Sequence, residues 1–220
     1  MLETYLSGYD VILGSSSPRR YEIVHDNLGL QTFKVIVPEF EENLDKQNYL
    51  NRPIDYVRDT SRYKAEGILD GLKEECKLKE HNSSKPIIVV CADTVIIDKD
   101  NKIYEKPKSS EDQFNNLKKY CYSNEIFSVI TGVTLILFDP YISQHKMLAF
   151  DDKTDLYFDS SVPTELIDYY VKSGEGMNAA GGFKIQDTSG SFIKKIEGDF
   201  YNVIGLPLNK TVMNIFKLIN

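Results

Sequence analysis

The spacing of apolar residues changes several times along the chain, and each change predicts an element. "DVILGSS" (10–16) is a short apolar run ending in small polar residues and predicts a strand. "SPRRYEIVHDNLG" (17–29) predicts a helix, with Ser17 as N-cap, Pro18 at the first helical position and Gly29 just past the end. "TFKVIV" (32–37) alternates toward a second strand, and the acidic loop "PEFEENLD" follows. Pro53 opens a long helix running to about Leu72, with apolar positions at Ile54, Val57, Ala65, Ile68 and Leu72. "LKEECKLKEHNSSK" reads as a solvated helix end and a surface loop. "PIIVVCADTVIID" is the most continuous apolar run and predicts a strand buried on both faces. "DKDN" turns it and "KIYEK" returns. "SSEDQFNNLKKYC" predicts a helix with a capping box from Ser110 to Gln113. Two long strands follow, "EIFSVITGVTLILFD" and "HKMLAFDDKTDLYFD", then a helix, "VPTELIDYYVKSG", stopping at Gly174. The glycine-rich loop "GEGMNAAGG" leads to "FKIQ" and "SFIKKIEG", and a last helix spans about Pro207 to Ile219. Strands and helices in this mixed order give an α/β or α+β fold, with no repeat and no low-complexity linker.

Composition narrows the classes. Of 220 residues, 41% are hydrophobic and 11% aromatic, enough for a substantial core. A net charge of −7 argues against non-specific nucleic-acid binding, so any phosphate site needs a local basic cluster. No apolar run is long enough to span a membrane, and "MLETYLSGYD" lacks the pattern of a signal peptide. Cys76, Cys91 and Cys121 are scattered, which fits a reducing cytoplasm better than a disulfide framework or zinc site.

Three features carry candidate chemistry. In "VILGSSSPRR" a strand empties through a Gly/Ser turn into a helix start, where unpaired N–H groups and the dipole favour anions. Ser15, Ser16 and Ser17 add hydroxyls, and Arg19 and Arg20 add fork geometry suited to phosphate. The stretch reads equally as a capped helix with two surface arginines, and it lacks the spacing of a Walker loop. Second, Lys64 falls on the apolar stripe of the long helix. An inward lysine needs an anionic partner, unless it snorkels at the edge of the stripe. Third, Asp93 interrupts a buried strand, where a carboxylate must be paired or bind metal. "EKPK" brings Lys106 and Lys108 back from that strand, and Glu41-Glu42 is either solvated or able to hold a hard cation. "DKDNKIYEKPKS" opens like a calcium loop but lacks the required Gly and Glu, so it reads as a turn. His25, His81 and His145 pair with nothing in a catalytic spacing, and Cys91 reads as a small core residue.

Taken in order, "SSSPRR", "FEENLD", "YKAEGIL", "CADTVI", "EKPK", "VITGV", "YYVKSGE", "AAGGFKIQ" and "GDFYNVIGLPL" resemble the Maf family of nucleoside triphosphate pyrophosphatases. The resemblance covers roughly residues 11 to 209. It implies one Maf-like domain over 1–220, with an elongated α/β fold like that of inosine triphosphate pyrophosphatases: a long twisted mixed sheet and two lobes around a cleft. It implies hydrolysis of a nucleoside triphosphate to monophosphate and pyrophosphate with a divalent cation, Mg2+, Mn2+ or Co2+. It also implies a homodimer. By position, Ser15, Arg19 and Arg20 would meet the phosphates, and Glu42 matches a loop glutamate that would join Asp93 at the metal. Lys64 and Lys106 match the helix lysine and the lysine of the "KP" motif. Asp93 matches the proton acceptor, and Arg19, Thr94 and Gln186 match positions linked to substrate choice. Gln186 resembles the members acting on dTTP and UTP; those acting on 7-methylguanosine triphosphate carry an acidic residue near this place.

The chain departs from the family in two places. Where members of this type read Asp-Lys-Ala-Gly-Gly, it reads Asn178-Ala179-Ala180-Gly181-Gly182. A lost charge-assisted contact costs roughly 1.5–3 kcal/mol, which would slow an enzyme without silencing it. "SNEIFSVITGV" also lacks the usual Gly and His, and Phe127 receives no role. The rival readings are a weakened nucleotide-binding regulator, an interaction module, and the same chemistry on another base.

Overall fold

The structure, a computed structural model, describes residues 2–40, 44–78 and 85–220. Helix α1 (Leu2–Tyr5) precedes strand β1 (Asp10–Gly14) and helix α2 (Pro18–Glu22), which runs on as a π-helical turn, Ile23–Asn27. Strand β2 (Lys34–Val35), a 3-10 turn (Lys46–Tyr49) and helix α3 (Pro53–Lys77) follow. Next come β3 (Ile87–Ile97), β4 (Ile103–Tyr104), α4 (Ser110–Tyr122), β5 (Phe127–Asp139) and β6 (Gln144–Phe158). The chain ends with α5 (Thr164–Lys172), 3-10 turns at Ala180–Gly182 and Thr188–Phe192, β7 (Ile193–Glu197), α6 (Phe200–Ile204) and α7 (Leu208–Ile219).

The strands form one open mixed sheet in the order β2-β1-β3-β5-β6-β7, with β4 paired to β3. β1 runs parallel to β2 and β3, and the other pairs are antiparallel. β5 pairs with β3 along its whole length, from Ile87↔Phe138 to Ile97↔Ser128. On the other edge of β3, β1 covers only Ile87 to Cys91 and β4 only Ile96 and Ile97. Among the described residues, 92–95 of this central strand therefore have no strand neighbour on that edge.

Side-chain alternation along β3 divides the core. One face carries Ile87, Val89 and Cys91, packed under Ala65, Ile68, Leu69 and Leu72 of α3. Farther along the same face, Val95 and Ile97 meet Tyr56 and Val57. The opposite face holds two clusters. Ile88, Val90 and Ala92 pack with Val24 and Ile215, whereas Ile96 packs with Leu117, Tyr120 and Tyr170. A fully buried Ile or Leu contributes about 1.5–3 kcal/mol, so these clusters dominate the stability of the sheet. Cys91 is fully buried, and burial pushes its thiol up to about 12, which fits a core residue.

The sequence reading needs three adjustments. "TFKVIV" yields only Lys34–Val35, an exposed two-residue pair at the sheet edge. The N-cap of α4 is Ser109, not Ser110: its Oγ accepts from Asp112 N at 3.1 Å, and Asp112 rather than Gln113 occupies the third helical position. The helix from Pro53 continues to Lys77, past the expected Leu72.

Candidate active site

A cleft of about 590 Å³ opens at the uncovered stretch of β3, within the range of about 300–1,000 Å³ usual for small-molecule sites. Its walls come from the β1–α2 turn, α3, β3, the segment after β4 and the loop at 178–186. Ser15, Arg19, Arg20, Lys64, Asp93, Thr94, Lys106 and Gln186 all line it. Glu41 and Glu42 lie outside the described residues.

On the α3 face, Lys64 Nζ donates to Asp93 Oδ1 at 2.9 Å, with the two side chains only 7% and 12% exposed. Each of the two residues that looked misplaced in sequence is the partner of the other. A buried charge of either sign is costly alone, and pairing offsets much of that cost. The contact depends on α3 lying close to β5. Asp93 is in register with Gly132, where a Cβ would stand 2.5 Å from Val57 O and 2.8 Å from Arg58 N. Only glycine lets the helix backbone approach this far.

On the other face, Arg20 joins three segments of the chain: the β1–α2 turn, β3 and the residue after α6. Nε donates to Gly205 O at 2.9 Å, Nη1 to Ser15 Oγ at 3.2 Å and Nη2 to Thr94 Oγ1 at 3.0 Å. Ser15 Oγ also accepts from Ser17 N at 3.1 Å. Thr94 Oγ1 continues to Thr131 Oγ1 at 3.0 Å, and Thr131 reaches Asn202 O at 3.2 Å. Arg20 thus braces the site.

Arg19 differs from its neighbour. Its guanidinium makes no hydrogen bond or ion pair with another described residue, while its backbone carbonyl accepts from Ile23 N within the helix. Burial lowers its pKa, opposed by the charges of Asp187, Glu22 and Tyr170. Lys106 is exposed on the cleft wall and also lacks an ion-pair partner among the described residues. Just before it, Glu105 is held at both oxygens: Tyr56 OH donates to Oε1 at 2.6 Å and Lys46 Nζ sits 2.5 Å from Oε2.

Tyr56, Glu105 and Lys184 also line the cleft and were not singled out from sequence. Glu105 stands in the quoted "EKPK", but pattern alone gives no sign that it meets Tyr56 across the cleft. Among the described residues no group of three or more His, Cys, Asp or Glu is placed to hold a metal ion. The described carboxylates lining the cleft are Asp93 and Glu105. A hard cation such as Mg2+ commonly takes one or two carboxylates and completes its shell with substrate phosphates. Glu105 is held at both oxygens by Tyr56 and Lys46, so Asp93 is the described carboxylate whose chemistry and place on the cleft wall fit one.

The profile described as Maf-like protein matches residues 10–218. The chain belongs to the Maf family. It is 48% identical over 212 residues to the dTTP/UTP pyrophosphatase of Saccharomyces cerevisiae, covering 96% of this chain and 90% of that one. It is 36% identical over 203 residues to the dTTP/UTP pyrophosphatase of Schizosaccharomyces pombe, covering 91% and 80%. A human protein named probable bifunctional dTTP/UTP pyrophosphatase/methyltransferase is 35% identical over 210 residues, covering 94% of this chain and 32% of that one. In this Maf protein the Asn178-Ala179 departure lies on the cleft wall, with Ala179 buried at 3% exposure and Asn178 exposed. No helix among the described residues is long and apolar enough to cross a membrane.

Proposed function

We propose that this chain hydrolyses dTTP and UTP to the monophosphate and pyrophosphate as a single domain over 1–220. The observation that carries the reading is the pairing of functions in one cleft. Arg19 and Lys106 present charge without an ion-pair partner among the described residues, beside the buried Lys64–Asp93 pair. The names of the yeast relatives support the choice of substrate.

In this mechanism Arg19 and Lys106 bind the phosphate chain and neutralise charge that spreads onto the pyrophosphate leaving group. Asp93 accepts the proton of the attacking water, and Lys64 holds that carboxylate in place at Oδ1. Arg20 keeps Ser15 and Thr94 in position rather than contributing a loose cation. The Gln186 carboxamide offers both a donor and an acceptor to a pyrimidine edge. A divalent cation, Mg2+, Mn2+ or Co2+, would be held by Glu42 with Asp93 and would neutralise charge on phosphate oxygens; the two roles of Asp93 compete, because a carboxylate saturated by metal is a poor base. The three free cysteines support a cytoplasmic setting.

The test is pyrophosphate release from dTTP, UTP, CTP, ATP, GTP and 7-methylguanosine triphosphate with Mg2+ or Mn2+, using Asp93→Asn as control. Release from dTTP and UTP that is lost in the variant is expected. A preference for another base ends the pyrimidine assignment and retains the phosphate chemistry. Nucleotide binding without release favours a regulator instead.

A further inference from the structure

We infer that Gln113 is a positioning residue that fixes one wall of the cleft. The kinetic side of this inference rests on the dTTP/UTP reading above; the structural side does not. Gln113 lies on α4 and is fully buried. Its Nε2 donates to Glu175 O at 2.6 Å and to Gly182 O at 2.7 Å. One amide group therefore clasps both ends of the loop 175–182. Asn178, Ala179 and Ala180 of that loop line the cleft, and Phe183, Lys184 and Gln186 follow directly.

The loop needs such a clasp. It turns through Gly176, Gly181 and Gly182 at φ values of 77°, 70° and 81°. Glycine reaches this region readily, but it also has the most backbone freedom to lose on ordering. The loop's backbone bonds are few: Ala179 N to Gly176 O at 2.9 Å, Gly182 N to Ala179 O at 3.0 Å and Gly181 N to Glu105 O at 2.9 Å. Packing brings loop and clasp together, since a Cβ at Gly182 would stand 3.0 Å from Gln113 Cγ. Gln113 Oε1 has no partner among the described residues, so the two carbonyls alone set the orientation of the amide. An unpaired buried carbonyl is unfavourable, and an apolar side chain would avoid it. What the amide supplies that an apolar group cannot is the two-point hold on the loop.

Gln113→Met tests this, because it retains the length of the side chain and removes both donors. Hydrogen exchange is read at amides 175–183, with 208–219 as an internal control for global stability. Exchange in the loop is expected to rise about tenfold with the control unchanged. KM for dTTP is expected to rise about tenfold with kcat nearly constant, since the loop contributes binding rather than the chemical step. Gln113→Glu, which sets carboxylate oxygens against the two carbonyls, gives at least as large an effect. Unchanged loop exchange in folded Gln113→Met overturns the clasp. Faster loop exchange with unchanged dTTP kinetics overturns the positioning role. Where Gln113→Met does not fold, Gln113→Asn, carrying the same amide one methylene short, is read by the same criteria. If the wild-type chain releases no pyrophosphate, the proposed function fails. The exchange measurement and the dTTP Kd of wild type and variant then still decide the role of Gln113.

Discussion

Asp93 and Thr94 are consecutive in β3, and their side chains leave the strand on opposite faces. Lys64 Nζ meets the first at 2.9 Å and Arg20 Nη2 meets the second at 3.0 Å. Strand alternation thus puts an ion pair and a hydroxyl network on the two sides of one uncovered edge. The two sides respond differently to substitution.

Lys64→Met leaves the Asp93 carboxylate buried without its ammonium partner. The expected loss is about 3 kcal/mol in urea unfolding. Asp93→Asn lowers turnover by about three orders of magnitude, the middle of the range for a lost general base. The double variant recovers most of the stability and none of the turnover. A Lys64→Met protein as stable as wild type would show that the pair contributes nothing to the fold.

Gly132→Ala forces a methyl group against the Val57–Arg58 backbone. Pushing α3 outward costs about 1–3 kcal/mol and also lowers activity, because Lys64 moves with the helix. Gly67→Ala on the exposed side of the same helix meets nothing within 4 Å. It stabilises by up to about 1 kcal/mol through helix propensity. Thermal unfolding of the two variants should move in opposite directions.

Arg19→Ala and Arg20→Ala separate binding from bracing. Removing Arg19 raises KM for dTTP about tenfold or more, from the loss of a charge-assisted contact, with stability held. Removing Arg20 breaks bonds to Ser15, Thr94 and Gly205 together and lowers both stability and kcat. Equal stability losses in the two variants would contradict this division.

Asp98 makes the fold sensitive to acid. Burial alone would raise its pKa, but hydrogen bonds from Lys119, the Lys102 backbone and Tyr104 outweigh that and hold it below the usual 3.8. A carboxyl group lowered in the folded state stabilises above its unfolded pKa, and the effect is lost as pH falls through the folded value. Asp98→Asn therefore costs about 2 kcal/mol near pH 7. The gap to wild type closes below about pH 4. A gap that stays constant from pH 7 to pH 3 would assign the effect to packing.

The sequence revealed the anomalies better than their partners. Lys64 on an apolar stripe and Asp93 inside a buried run were both visible as misplaced charges. That each answers the other requires α3 to cross β3 at the level of Gly132, a tertiary fact without a local pattern. The turn at "DKDN" was legible from composition, while the half-buried Asp98–Lys119 contact at 2.8 Å, which ties the residue just past β3 to α4, was not. Periodicity located α7 almost to the residue because its apolar face is regular. It overextended "TFKVIV", because β strength at an edge depends on how much of the neighbouring strand remains to pair with. Arg19 and Arg20 looked interchangeable in sequence, and only their surroundings distinguish them.

Among the described residues, 92–95 of β3 have no strand neighbour on one edge, and Asp93, Thr94 and Val95 line the cleft there, so a ligand held in it would be bound by the folded chain alone. Occupancy and folding are then linked. A ligand that binds only the folded chain at a hundred times its Kd adds about 2.7 kcal/mol to unfolding. A rise in substrate would lengthen the lifetime of the folded chain, so the amount of protein would follow the nucleotide supply without any change in its synthesis.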